Sequence, residues 1–211
     1  IAIDSGQLLP IDEFVTKYDY GTLATPLDTE FRFRDQLLSE GLQFLESGDM
    51  TLLISGPAGM GKTRLALEIA RGMMERVKGL QVLCVYNRDI SLFNDLHRHL
   101  SAPGDYLLLV DDANRVNGRT HILELAKQGD QTRTYRFILT VRDYAEREVI
   151  RDLRIFGIPF QRQSVGPVTR KEVIEYIDKQ FGITNDLYQS QIWALSQGNL
   201  RLATMAAKEA V

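Results

Sequence analysis

The feature that most constrains the fold is the run of residues 56–63, G-P-A-G-M-G-K-T, which fits the pattern G-x-x-x-x-G-K-T. A short apolar stretch, residues 50–55, precedes the run, and Leu65, Ile69 and Met73 recur at helical spacing after it. A strand, a glycine-rich loop and a helix in this order form a loop whose backbone N–H groups enclose phosphate at a helix N-terminus. The pattern therefore predicts a site for a nucleoside triphosphate.

Each position of this loop has a chemical reason. Its glycines let the backbone approach the phosphates without a Cβ in the way. Lys62 supplies a mobile cation for the β- and γ-phosphates, and Thr63 supplies a hydroxyl for Mg²⁺. We expect the loop and the residue after it to bind the nucleotide: Gly56, Pro57, Ala58, Gly59, Met60, Gly61, Lys62, Thr63 and Arg64.

Composition bounds the class of protein. The 211 residues carry a net charge of −3 and are 44% hydrophobic, which suits one soluble α/β domain with a small appendage. The sequence shows neither an apolar run near the ~18 residues of a membrane span nor a secretory signal. The single cysteine, Cys84, lies in an apolar run, as expected for a buried thiol in a reducing cytoplasm. The chain starts without Met and ends within a helical pattern, so we expect a piece of a longer protein.

Apolar runs and helical patterns alternate along the middle of the chain. Residues 1–30 look irregular, residues 31–167 read as the nucleotide-binding core, and residues 168–211 read as a helical lid. Helices are predicted near residues 30–46 and 91–100, besides the helix that follows the loop. Five strands are predicted, at residues 50–55, 80–86, 106–110, 135–141 and 160–165. Strands that alternate with helices predict an α/β fold with a five-stranded, mainly parallel sheet flanked by helices.

After Pro167 the pattern indicates helices only. Thr169 and Glu172 form a capping box, T-x-x-E, in front of an apolar helical run. A second helix is predicted at about residues 185–196, and a third at 200–210 with Asn199 as its N-cap. The core is therefore expected to carry a small all-helical lid.

A second motif is the run Leu-Leu-Leu-Val-Asp-Asp at residues 107–112. It describes a buried strand with acids at its carboxyl end, the edge at which parallel sheets bind ligands. We expect Asp111 to face Mg²⁺, through water, and Asp112 to orient or deprotonate the attacking water. The alternative for Asp112 is a cap of the following loop. An aspartate reaches less far than a glutamate, which weakens the case for rapid turnover.

Two arginines are candidates for contact with the phosphates. Thr140 and Arg142 end another apolar strand, and parallel pairing would bring both near the γ-phosphate, where a guanidinium can form bidentate hydrogen bonds. Arg201 lies in the first turn of a lid helix, where a cation opposes the helix dipole unless an anion is near. A solvated surface arginine is the alternative in both cases.

Together these residues resemble the STAND signalling ATPases, within the AAA+ relatives of the P-loop class, over about residues 20–211. The match is closest to the bacterial novel STAND type. The stretch at residues 31–35 resembles the arginine-bearing box that flanks adenine in that group, which implies a nucleotide contact for Arg34. The resemblance implies ATP or ADP with Mg²⁺, and an activated full-length protein that self-associates. It further implies fused effector and sensor domains outside this chain, and a possible part in defence against phage.

Two alternatives remain open. An AAA+ ATPase of the initiator or helicase-loader kind has a similar Gly-x-x-Arg helix start, here Gly198–Arg201, and uses an arginine finger in trans. Arg147, Arg151 and Arg154 are placed for such a finger, although a solvated helix face is the commoner explanation. A nucleotide-gated binding module without turnover is the third interpretation. Nucleic-acid binding gains no support, since the pI is about 5.7 and no basic aromatic patch is present.

Two tyrosines near the start of the chain are candidates for contact with adenine. Tyr18 and Tyr20 carry rings that stack well on a base, although packing within the loop is the commoner explanation. Two histidines, His97 and His99, are two residues apart on a predicted helix, so they do not share a face and make a poor metal pair.

Overall fold

The structure, a computed structural model, describes residues 8–21, 30–48, 51–86, 92–127 and 132–210. The strands in these residues are β1 Leu8–Pro10, β2 Thr51–Gly56, β3 Gln81–Val85, β4 Gly104–Val110, β5 Arg133–Arg142 and β6 Phe160–Ser164. The helices are α1 Ile11–Gly21, α2 Asp35–Glu46, α3 Lys62–Arg76, α4 Phe93–Leu100, α5 Arg119–Ala126, α6 Glu146–Ile155, α7 Arg170–Phe181, α8 Asp186–Ser196 and α9 Leu200–Ala210. None of these helices is long and apolar enough to cross a bilayer.

The sheet order places the functional strands side by side. The strands run β1-β3-β4-β5-β2-β6, and all neighbours are parallel except β1, which pairs antiparallel with β3. Strand β5 lies between β2 and β4, with Ile54 opposite Thr140 and Gly56 opposite Arg142. The carboxyl ends of β2, β4 and β5 therefore meet at one edge of the sheet, where α/β folds bind ligands.

Both faces of the centre of the sheet are buried, which explains why β2 and the end of β4 read as continuous apolar runs. Along β2, Leu53 joins one core cluster while Leu52 and Ile54 join the other. The first cluster includes apolar residues of α4, α5 and α6, and the second includes those of α1, α2 and α3. This alternation fixes the register of each strand, because a slip by one residue would exchange the two faces.

The fold class and all five predicted strands are confirmed, with bounds that shift by a few residues. The prediction that residues 1–30 are irregular is wrong over residues 8–21, which form β1 and α1. Leu9 pairs opposite Cys84 at the sheet edge, and Phe14 is 2% exposed against the core. Pro10 is tolerated because β1 is an edge strand, where a missing N–H costs no ladder bond. The sheet therefore has six strands instead of five.

The helical region after residue 167 has its own core. Helices α7, α8 and α9 pack around a cluster that includes Val173, Ile177 and Ala203, all fully buried. The predicted capping box is present, since the Thr169 side chain accepts from the Glu172 N–H and the Glu172 side chain accepts from the Thr169 N–H. The predicted N-cap of α9 is present as well, because Asn199 Oδ1 accepts two N–H groups of its first turn.

Candidate nucleotide-binding site

The glycine-rich loop connects the end of β2 at Gly56 to the start of α3 at Lys62. Gly59 and Gly61 have φ values of 77° and 89°, in the left-handed region where a side chain is strained. The N–H groups of the first turn of α3 have no acceptor within their own helix and are available to an anion. The predicted strand, loop and helix are therefore all in place.

Lys62 lies inside this loop. Its Nζ donates hydrogen bonds of 2.8 Å to the carbonyl oxygens of both Gly56 and Pro57, and the residue is only 7% exposed. Burial lowers the pKa of Lys62, and the nearby carboxylates of Asp112 and Asp111 oppose that shift. A cation that has already lost its water and faces the loop interior is well placed to bind phosphate oxygens.

Behind the loop, three side chains form a buried cluster of oxygens. Thr63 Oγ1 and Thr140 Oγ1 donate to the same oxygen, Asp111 Oδ1, at 2.6 and 2.7 Å. Thr140 Oγ1 also accepts from the Asp112 N–H at 2.9 Å. Thr140 is fully buried, and its place near the γ-phosphate stays a prediction. Its hydroxyl contacts both residues of the acidic pair. Val110 lies opposite Leu139 at the end of β4, so the next residues, Asp111 and Thr140, lie side by side.

The residues beside the loop fit a Mg²⁺ ion. The Thr63 hydroxyl and the Asp111 carboxylate are hard oxygen donors 2.6 Å apart at the mouth of the loop. Among the described residues no group of three or more His, Cys, Asp or Glu side chains is arranged to hold a metal. Magnesium in phosphate sites takes one or two protein oxygens and completes its shell with phosphate and water. A donor set of this kind therefore suits a metal that arrives with the nucleotide.

The two residues predicted to act in hydrolysis lie together in the cleft. Asp112 Oδ2 is 3.5 Å from Arg142 Nη2 and 3.9 Å from Arg115 Nη1. Asp112 adopts the left-handed conformation, with φ 48° and ψ 53°, which turns the chain away from β4 at this position. Asp112 and Arg142 both line the same cleft as Lys62. The Asp112 carboxylate therefore faces the cleft while it is ion-paired with Arg142.

The cleft extends from the loop towards the N-terminal segment and the lid. Its remaining walls are formed by aromatic, charged and apolar side chains from both regions: Tyr18, Glu30, Phe31, Arg32, Tyr176, Leu200 and Arg201. Tyr18 and Phe31 are rings that a base can stack on. The Tyr20 side chain lies outside the described residues. Arg201 lines the cleft from the first turn of α9. An anion bound in the cleft would offset the unfavourable interaction of this cation with the helix dipole.

Arg34 is not among the residues that line the cleft. Its Nη2 donates to the carbonyl of Gly166, where the core passes into the lid, and burial lowers its pKa. The arginine on the cleft wall is Arg32, which pairs with Glu30 and lies 3.6 Å from Glu175. Phe33 between them has a φ of 63°, and this left-handed kink separates the two arginines. A nucleotide contact of Arg34 stays a prediction, and in this structure its guanidinium holds the Gly166 carbonyl at the hinge.

Sequence reasoning missed three contributors to the site. The hydrogen bonds of Thr140 with Asp111 and Asp112 depend on the register of β5 against β4, which the sequence does not show. The sequence does not show that Arg32 rather than Arg34 lines the cleft, because the alternation of Phe and Arg at residues 31–34 does not reveal the left-handed kink at Phe33. Asn199 was identified as a helix cap, whereas its amide also donates to the carbonyl of Ala58 at 3.0 Å. That contact joins residues 141 positions apart, which no local pattern indicates.

The profile of one protein family, Novel STAND NTPase 3, matches residues 36–165 of the chain. The chain belongs to the novel STAND NTPase 3 family. The matched residues run from α2 to the end of the sheet and include the loop, the acidic pair and Arg142. No curated protein gives a significant sequence match.

Solved structures with the same fold come from several kinds of protein. A RuvB variant from Thermotoga maritima is 26% identical, with a TM-score of 0.59 over 86% of this chain and 63% of that one. The Hsp104–ADP complex of S. cerevisiae is 12% identical, with a TM-score of 0.65 over 94% and 32%. The Aeropyrum pernix ORC2 protein, in ADPNP–ADP complexes, is 16% identical, with a TM-score of 0.54 over 86% and 63%. The chain thus spans less than two thirds of each, and the fold is that of AAA+ and STAND P-loop NTPases.

Proposed function

We propose that this novel STAND NTPase domain binds ATP with Mg²⁺, hydrolyses it slowly and acts as a switch through nucleotide occupancy. The observation that carries the proposal is the convergence of Lys62, Thr63 and Asp111 on one glycine-rich loop, inside a cleft whose opposite wall belongs to the lid. A cation, a hydroxyl and a carboxylate in this order match the needs of a Mg²⁺-bound triphosphate.

The side chains divide the work on the triphosphate. Lys62 and the loop N–H groups hold phosphate oxygens, while Thr63 and Asp111 hold the metal, which neutralises developing charge when bound. Asp112 orients the attacking water. Asp112 Oδ2 lies 3.5 Å from Arg142 Nη2, and an aspartate reaches less far towards the attacking water than a glutamate would. The arrangement supports slow turnover, which is what a switch requires.

The switch itself follows from the cleft having walls on two parts of the chain. Arg142 approaches from the core and Arg201 from the lid, so the γ-phosphate can set the position of one relative to the other. In the full-length protein we propose that the ATP state drives self-association and activates a fused effector. Defence against phage is the biological setting that the family resemblance suggests. The buried thiol of Cys84, whose pKa rises to about 12 through burial, fits a reducing cytoplasm.

The direct test is nucleotide binding by the Lys62→Ala variant. Removal of a charge-assisted contact to phosphate is expected to cost about 1.5–3 kcal/mol of binding free energy, roughly a 10- to 150-fold loss in affinity for MgATP. Lys78→Ala is the matched control, because Lys78 is an exposed lysine just beyond the other end of α3. Isothermal titration calorimetry that shows equal affinity for the two variants would contradict the proposed site.

A second candidate is an AAA+ ATPase of the initiator or helicase-loader kind, in which a neighbouring subunit supplies an arginine. Arg151 on α6 favours it, because its side chain is 68% exposed and is available to another molecule. The similarity in fold to RuvB and ORC2 is consistent with it. A nucleotide-gated module without turnover differs from both, and single-turnover measurement of ATP hydrolysis separates it from an enzyme.

A further inference from the structure

One side chain of the lid contacts the phosphate loop directly. Asn199, which precedes α9, donates from Nδ2 to the carbonyl oxygen of Ala58 at 3.0 Å. The other atom of the same amide, Oδ1, accepts the N–H groups of Arg201 and Leu202 at 3.1 and 3.2 Å. The two halves of this amide therefore do different things: the oxygen caps a lid helix and the nitrogen holds the loop.

The loop is shaped to receive this amide. A Cβ atom on Gly59 would lie 2.7 Å from Asn199 Oδ1 and 2.9 Å from Nδ2, closer than real Cβ contacts. The residue before Asn199 is fixed as well. Gly198 has a φ of 85°, and a Cβ there would meet the Val168 carbonyl at 2.3 Å. The amide is thus held against the loop by backbone that leaves little room for another arrangement.

The hydrogen bond to Ala58 constrains one peptide plane of the loop. The unit that joins Ala58 to Gly59 is planar and trans, so its C=O and its N–H point in opposite directions. When Asn199 holds the carbonyl on the lid side, the Gly59 N–H must point away from the lid. Among the described residues the Gly59 N–H makes no backbone hydrogen bond. Since glycine permits either orientation of this plane at little cost, an external contact decides between them.

We propose that Asn199 is a positioning residue for phosphate binding, which aims the Gly59 N–H at the nucleotide by holding the Ala58 carbonyl. The inference rests on the proposed function and adds to it a physical link between lid and loop. While the lid lies on the core, the peptide is set for phosphate. When the lid moves away, the peptide is released and phosphate affinity falls. Coupling of this kind is reciprocal, so bound phosphate also favours the closed lid.

The test separates the two halves of the amide. Asn199→Ser keeps a capping oxygen for α9 but removes the donor to Ala58. Asn185→Ser is the matched control, because Asn185 caps α8 of the same lid through Oδ1, at 2.9 Å from the Leu187 N, and has no contact with the loop. We expect affinity for both MgADP and MgATP to fall about 3- to 10-fold in Asn199→Ser, the size that suits one neutral hydrogen bond, and to stay unchanged in Asn185→Ser.

A second measurement does not depend on the nucleotide. In ¹⁵N NMR spectra without nucleotide, the Gly59 amide resonance should shift in Asn199→Ser and stay in place in Asn185→Ser. Unchanged affinity or an unshifted Gly59 resonance in Asn199→Ser would overturn the proposal. An equal loss in both variants would overturn it too, because lid stability would then explain the effect. If the parent protein binds no nucleotide, the proposed function and the role of Asn199 both fail. If the parent binds nucleotide and Asn199→Ser binds it equally well, only the role of Asn199 fails.

Discussion

At the scale of single residues, the neighbouring carboxylates Asp111 and Asp112 have different surroundings although the same strand presents them. Asp111 is 3% exposed, and its Oδ1 accepts from two threonine hydroxyls. Asp112 faces the cleft and shares its charge with Arg142. Burial with fixed donors suits a carboxylate that holds a metal, whereas a carboxylate at the cleft surface can reach water.

This difference predicts two separable phenotypes. Asp111→Asn should weaken Mg²⁺-dependent nucleotide binding, because an amide removes the negative charge on the metal side. Asp112→Asn should keep MgATP affinity but lower the rate of hydrolysis by about 100-fold or more, because general-base assistance usually contributes at least that much. Titration with and without Mg²⁺ and single-turnover hydrolysis measure the two effects.

Asp105→Asn serves as the control for both variants. Asp105 lies near the amino end of β4, at the opposite edge of the sheet, where it pairs with Thr134. Hydrolysis at the parent rate in both Asp111→Asn and Asp112→Asn would show that the roles assigned to the acidic pair are wrong.

At the scale of elements, one arginine ties the loop after β4 to two helices. Arg119 at the start of α5 donates to Asp152 and Glu148 on α6, and to the carbonyl of Ala113 at 3.1 Å. Ala113 directly follows Asp112, so the tether holds the turn that presents the carboxylate proposed to orient water. The side chains of Arg119 and Asp152 are only 12% and 17% exposed.

Removal of this tether should cost stability. We expect Arg119→Ala to lower the free energy of unfolding by about 1–3 kcal/mol, less than for a fully buried pair, because it leaves the Asp152 carboxylate partly buried and unpaired. Arg119→Lys should recover part of the loss, since lysine keeps the charge but lacks the planar fork. Urea denaturation measures the difference. The exposed Arg98 on α4 is the control, and an Arg119→Ala variant as stable as Arg98→Ala would contradict the role of the tether.

The elements also show what the sequence can and cannot predict. The strands β2 and β4 were predictable because both faces of a parallel sheet are buried and the runs are continuously apolar. Strand β1 was not, since a three-residue edge strand that ends in proline has no pattern of its own. Lys62, Thr63 and Asp111 were identifiable because each lies in a local motif. Thr140 and Asn199 act through partners 29 and 141 residues away, so only the tertiary structure reveals their contacts.

At the scale of the whole molecule, several polar contacts join the lid to the rest of the chain near the hinge. Arg34 holds the Gly166 carbonyl, Arg32 lies 3.6 Å from Glu175 of α7, and Asn199 holds the Ala58 carbonyl of the loop. Helices α7, α8 and α9 have an apolar cluster of their own, against which Phe33 packs. A lid with its own apolar cluster, joined to the rest of the chain partly by polar contacts, is compatible with the lid movement that we propose for the switch.

This architecture predicts how turnover depends on protein concentration. A switch that works by occupancy completes its site within one chain, so the 1–211 chain should be mainly monomeric, with ATPase activity per subunit independent of concentration. Its turnover should be slower than the ~1–10³ s⁻¹ of ordinary enzymes. Enzyme assays from dilute to concentrated protein, with sedimentation to follow association, measure both quantities. An AAA+ loader would instead show activity that rises steeply with concentration as a neighbour supplies an arginine from α6. If Arg151→Ala or Arg154→Ala abolishes such a rise while Arg98→Ala leaves it intact, the result rejects the switch and supports an AAA+ ATPase of the loader kind.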